Sequence, residues 1–106
     1  MKLKDKTAIV TGSSKGLGRA IAVGLAKEGA KVLINYNNSE KQAKEVVQEI
    51  ERLGSSALMY KANTGIKEEV DNMVAFAEKM WGTIDILVNN AGIMYNTPFL
   101  EIPEDE

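Results

Sequence analysis

Four short apolar runs alternate with three stretches of helical periodicity, and that alternation restricts the fold more than any other feature of the chain. The runs are TAIV (7–10), VLI (32–34), ALMY (57–60) and IDILV (84–88). Continuous apolar runs, rather than strict alternation with polar residues, suit strands covered on both faces, as in a parallel sheet. The segment 18–28 places Ile21, Ala22, Leu25 and Ala26 on one helical face, with Gly29 as a stop. In 39–53, Ser39 and Gln42 have the spacing of a capping box. Ala43, Val46, Val47, Ile50 and Leu53 then recur at helical spacing, and Gly54 ends the segment. Glu40 and Lys44 stand in the favourable order for an ion pair worth ~0.3 kcal/mol. In 66–80 the buried stripe is expected to be Ile66, Val70, Met73, Val74 and Ala77, with Gly65 as the N-cap. Lys67, Glu68, Glu69 and Asp71 then face water. Asp85 reads as the start of its strand rather than a catalytic carboxylate, because no partner carboxylate is identifiable.

The order β-α-β-α-β-α-β, with strands spaced as in successive βαβ units, predicts an α/β fold. Right-handed crossovers then give a doubly wound parallel sheet of strand order 3-2-1-4. At 106 residues the chain makes one domain, 1–106. From residue 94 onward the periodicity is lost, and Pro103 with the three acids after it suits the first turn of a further helix.

Composition excludes several chemistries. With no cysteine there is no disulfide, thiolate metal site or thiol nucleophile, and with no histidine the commonest general base is absent. A net charge of −2 gives no support for nucleic acid or an anionic membrane as partner. No apolar run approaches the ~20 residues of a membrane span. The N-terminus lacks the pattern of a signal peptide, so the cytoplasm is the expected location.

TGSSKGLGRA (11–20) lies where the first strand turns into the first helix, with glycines at 12, 16 and 18. The spacing is neither that of the Walker loop nor the commonest dinucleotide spacing, Gly-x-Gly-x-x-Gly. The physics is shared. Gly12 suits the sharp turn off the strand, Gly16 a close approach of backbone to a phosphate, and Gly18 a helix lying close to the sheet. The free N–H groups and dipole of the new helix favour an anion there. A purely structural glycine turn is the competing reading.

TGSSKGLG together with NNAG (89–92) resembles the short-chain dehydrogenase/reductase family, and the resemblance spans the chain. Within the family, general similarity points to 3-oxoacyl-(acyl-carrier-protein) reductases and glucose 1-dehydrogenases. The resemblance implies a Rossmann-type sheet truncated after its fourth strand, and a nicotinamide dinucleotide as partner. The implied cofactor site runs through Gly12, Ser13, Ser14, Lys15, Gly16, Leu17 and Gly18. It continues through Asn35, Tyr36 and Asn37, then Asn63 and Thr64, and ends at Asn90, Ala91 and Gly92. In the same scheme Asn89 ties the fourth strand to the first near Thr11. Asn63 stands where the family usually has Asp, and keeps an acceptor for the adenine amino group. An acid at the end of strand two would bind the ribose 2′-hydroxyl and repel a 2′-phosphate. None stands there before Glu40, and Lys15 is a base where NADP-preferring members carry Lys or Arg, so NADP is expected over NAD. A solvated surface lysine is the alternative for Lys15, and a simple turn the alternative for NNAG.

The family's Tyr-x-x-x-Lys pair is missing: Tyr36, Tyr60 and Tyr95 are followed four residues on by Glu40, Thr64 and Phe99. No catalytic residue and no metal ligand set is assigned. Three readings remain open: the cofactor half of an NADP-dependent reductase, a module that binds the dinucleotide without reducing anything, and a self-associating remnant. Ile84, Ile86, Leu87 and Val88 would form an apolar sheet edge, so either a homo-oligomer through strand four or poor solubility is expected.

Overall fold

A computed structural model describes residues 2–90. Its elements are β1 (Thr7–Val10), α1 (Gly16–Lys27), β2 (Lys31–Tyr36), α2 (Glu40–Arg52), β3 (Ala57–Lys61), α3 (Lys67–Trp81) and β4 (Ile86–Val88). The strands form one sheet of order β3-β2-β1-β4, and every pairing is parallel. Ile9 sits beside Leu33 on one side and Leu87 on the other, which fixes the register of β2, β1 and β4. The order and direction are those expected from the alternating periods.

Strand side chains alternate between two cores. Val10, Val32 and Ile34 face α1 and α2, where they meet Ala22, Ala26, Ala43, Val46 and Ile50. Ile9 and Leu33 face α3, where Met73 and Ala77 lie against them with Tyr60, Val70, Val74 and Phe76 at the margin. Residues 8–10 and 32–34 are fully buried, which explains why these strands read as unbroken apolar runs.

Both α1 and α2 end in a Schellman motif. Gly29 N–H donates to the Ala26 carbonyl and Ala30 N–H to that of Leu25, at 2.9 and 3.1 Å. Gly54 and Ser55 repeat the pattern on Glu51 and Ile50 at 2.9 and 3.3 Å.

Three local expectations are corrected. Ser39 is the N-cap of α2 but makes no side-chain cap, because its hydroxyl is hydrogen-bonded to that of Ser14 in the loop after β1. The Glu40–Lys44 pair does not form. Arg19 of α1 instead reaches across to Glu49 at 3.0 Å and Glu45 at 4.0 Å, and the i,i+4 pair that does form is Lys67–Asp71 at 2.8 Å. Ile66, not Gly65, is the N-cap of α3, and it is 44% exposed instead of joining the buried stripe. The cause is Asn63, whose Oδ1 accepts Gly65 N–H at 2.8 Å. That turn delays the helix by one residue.

Asp85 has the structural role read for it. Its Oδ2 accepts Thr7 N–H at 3.0 Å while its own N–H donates to the Thr7 carbonyl at 3.0 Å, so the carboxylate docks the start of β4 onto β1. The expected loop after residue 93, the helix start at Pro103, and the assigned residues Ala91 and Gly92 lie outside the described residues. Among the described residues no helix is long and apolar enough to cross a membrane.

Candidate functional site

From β1 the chain winds outward through β2 to β3, then returns to the other side of β1 for β4. The carboxyl ends of β1 and β4 therefore flank the point where the winding reverses, which in open α/β sheets is where ligands bind. Loop 11–15 leaves β1 there, and Asn89 and Asn90 leave β4 beside it. Thr11 N–H donates to the Val88 carbonyl at 3.0 Å and Thr11 Oγ1 to Asn89 Oδ1 at 3.3 Å, the tie expected between these strands. Asn90 Nδ2 donates to the Gly12 carbonyl at 3.1 Å. That bond is absent from the sequence reading, which gave Asn90 only a cofactor-lining role.

The three loop glycines are needed for two different reasons. Gly12 and Gly16 have φ of 58° and 62°, a backbone conformation that strains any residue with a Cβ. At Gly18 the constraint is space. A Cβ there would lie 2.1 Å from the Gly12 carbonyl oxygen and 2.7 Å from Asn90 Nδ2. The start of α1 is thus pressed against the end of β1. Its first intrahelical donor is Arg19 N–H, bonded to the Lys15 carbonyl at 3.3 Å. The N–H groups of Gly16, Leu17 and Gly18 precede that bond and have no intrahelical partner, which is the donor set an anion needs. Lys15 is exposed, and among the described residues it forms no ion pair.

The other assigned residues fall into two groups. Ser13, Ser14 and Asn35 are turned inward. Ser13 is fully buried, with its hydroxyl donating to the Val10 carbonyl at 2.6 Å and accepting Asn35 N–H at 2.9 Å. Ser14 is 4% exposed and bonds Ser39, a residue that sequence reasoning treated only as a helix cap. Asn35 is 1% exposed, with Oδ1 accepting Gly12 N–H at 2.8 Å.

Leu17, Asn37 and Asn63 are exposed, and Tyr36 and Thr64 are half-buried. Asn63 also receives a charge-assisted bond, its N–H donating to Glu69 Oε1 at 2.7 Å. Its Oδ1 spends one lone pair on Gly65 and keeps a second. Burial, and then the Glu40 carboxylate, push the Tyr36 hydroxyl above its ordinary value. No group of three or more His, Cys, Asp or Glu side chains is placed to hold a metal among the described residues.

The sequence model of the family described as short chain dehydrogenase matches residues 6–106. The chain belongs to that family. Among curated relatives, a hydroxynaphthalene reductase-like protein, Arp2, of Metarhizium majus is 43% identical over 104 residues. The match covers 98% of this chain and 39% of that protein. An L-rhamnose 1-dehydrogenase (NAD(P)(+)) of Sphingomonas sp. is 43% identical over 103 residues, covering 97% of this chain and 41% of that protein. Among solved structures, a short chain dehydrogenase of Burkholderia cenocepacia in complex with NADP superposes with a TM-score of 0.85 at 44% identity. That superposition covers 90% of this chain and 39% of the other. The chain thus spans about two-fifths of the length of the first two family members.

Proposed function

We propose that these residues form the NADP-binding half of an oxidoreductase that moves a hydride between NADP(H) and a carbonyl or alcohol substrate. The observation that carries the reading is the cradle at the reversal point of the sheet. Two positive-φ glycines, a third with no room for a Cβ, and the free N–H groups of α1 converge there. This arrangement fits a pyrophosphate. Backbone donors would meet its oxygens, and the positive end of the helix dipole would stabilise its charge. When bound, NADP(H) supplies or accepts the hydride. The chain's own part is to fix that group's position and to select its 2′-substituent.

NADP is preferred over NAD in this reading because β2 ends at Tyr36 without a carboxylate, and because Lys15 stands exposed in the loop. The substrate class proposed is a 3-oxoacyl thioester, from overall sequence resemblance, and the proposed location is the cytoplasm. Support for NADP comes from the bound cofactor of the Burkholderia cenocepacia neighbour, although the Sphingomonas relative is named for both dinucleotides. Titrating NADPH and NADH by fluorescence tests the reading. NADPH should bind at least about tenfold more tightly, a difference of ~1.4 kcal/mol. Equal affinities would refute the roles given to Lys15 and the end of β2, and absence of binding by both would refute the cradle.

A second reading is favoured by one sequence fact. No Tyr-x-x-x-Lys occurs in these 106 residues, so by themselves they are expected to bind the dinucleotide without reducing a carbonyl. Self-association through β4 belongs to the same proposal. Among the described strands β4 pairs only with β1, and Leu87 on it is 58% exposed. Sedimentation should therefore depend on concentration, and Leu87→Lys, which puts a charge on that edge, should give a monomer. A monomer at all concentrations without the substitution would rule this out.

A further inference from the structure

Asn35 is a fully buried amide, 1% exposed, yet it contacts both the glycine loop and the end of β3. From β2 its Oδ1 accepts Gly12 N–H at 2.8 Å, in the glycine loop. Its Nδ2 lies within donating distance of three carbonyls, Ala62 at 3.2 Å and Tyr60 and Tyr36 at 3.4 Å. Its own backbone is bound twice to Ser13, through N–H to the Ser13 hydroxyl at 2.9 Å and through the carbonyl to Ser13 N–H at 3.0 Å. An apolar residue would satisfy none of the side-chain partners, and each buried polar group so orphaned is costly. A carboxylate would keep Gly12 but turn oxygen against the carbonyls. An amide accepts from one loop and donates to the other from a single side chain, without a change of protonation.

We propose that Asn35 is a positioning residue that locks the glycine loop to the end of β3, so that the phosphate-binding and adenine-side segments are set as one unit. The proposal rests on the dinucleotide reading and deepens it, because it takes Asn35 out of contact with the cofactor. Gly12 N–H points inward to the amide, which turns the following residues toward the start of α1. Ala62 immediately precedes Asn63, so the same amide fixes where the exposed Asn63 stands. Rigid pre-placement of both segments removes ordering cost from binding.

The test uses Asn35→Ala and Asn35→Asp in the whole protein, with NADPH titration and amide exchange well below the melting temperature. For Asn35→Ala, NADPH affinity should fall about tenfold and exchange at Gly12 and Ala62 should rise together. A side chain that merely fills space would lower the melting temperature and leave the affinity of the folded protein unchanged. Asn35→Asp supplies the discriminating profile. Burial among three carbonyl oxygens raises the introduced carboxyl's pKa, and all Asn35 partners are backbone groups or the Ser13 hydroxyl, none titrating near neutrality. Below the raised pKa the protonated acid donates to a carbonyl and retains Gly12. Above it the donor is lost. Affinity relative to the unsubstituted protein at the same pH should therefore be near one at low pH and fall as pH rises. A flat ratio, or Asn35→Ala binding NADPH as tightly as the unsubstituted protein, overturns the proposal. If the unsubstituted protein binds no NADPH, the functional reading fails. Amide exchange then decides alone: a joint rise at Gly12 and Ala62 supports the lock, and no joint rise overturns it.

Discussion

Gly18→Ala should cost about 3 kcal/mol of stability, at the upper end of what overpacking usually does, and should abolish measurable NADPH binding. For a domain of this size that is a melting temperature lower by roughly 15 °C. The added methyl would sit 2.1 Å from the Gly12 carbonyl oxygen and 2.9 Å from its carbon, so the obstacle is backbone and not the end of a flexible side chain. Nor is that backbone free to retreat. Gly12 N–H is held by Asn35 Oδ1 at 2.8 Å and its carbonyl by Asn90 Nδ2 at 3.1 Å. Relief requires α1 to lift from the sheet, which carries its N–H donors away from the phosphate position and strips the Asn90 bond. Gly24→Ala is the control on the same helix. Nothing lies within 4 Å of its would-be Cβ, so helix propensity alone should act and raise stability by about 0.5–1 kcal/mol. Thermal melts in which the two substitutions behave alike would show that close packing at Gly18 is not what the glycine serves.

Tyr36→Asp should invert the cofactor preference. A carboxylate at the last residue of β2 is placed to accept a hydrogen bond from a ribose 2′-hydroxyl and to repel a 2′-phosphate. NADPH affinity is expected to fall about 30-fold, on the order of 2 kcal/mol of like-charge repulsion, while NADH binding is held or improved. Tyr36 also packs at the edge of the α1–α2 core, so losing the ring has an effect of its own. Tyr36→Ser separates the two, since it removes the ring without adding charge and should weaken both dinucleotides equally. The split produced by the acid should narrow at high salt, as screening requires. Parallel losses for NADPH and NADH in Tyr36→Asp would sink the idea that the end of β2 selects the dinucleotide.

Much of the fold could be read from the chain because its signals are local. TAIV, VLI, ALMY and IDILV mark β1 to β4, and the observed boundaries differ from the expected ones by no more than two residues. Gly29 and Gly54 end helices where their position suggested, through hydrogen bonds to residues three to five back in the chain. The errors also have a common cause. Ser39, Glu40 and Ile66 were given local partners or a local stripe. In the structure Ser39 turns to a loop 25 residues away, and Asn63 takes over the entry to α3. Local patterns do not reveal a competing partner from another segment.

The sequence by itself determined the order of elements, the parallel winding, and the place of the glycine loop at the strand-to-helix turn. These follow from residue spacing, backbone freedom and handed crossovers, which neighbouring residues settle among themselves. Only the tertiary structure decided which of the assigned residues are exposed and which are buried behind the loop. Ser13 and Asn35 meet across 22 residues, and Asn90 meets Gly12 across 78. A serine or an asparagine has the same hydrogen-bonding capacity whichever way it points. Packing α1, β2 and β4 around one loop buried Ser13, Ser14 and Asn35 among its supports and left Lys15, Gly16 and Leu17 exposed.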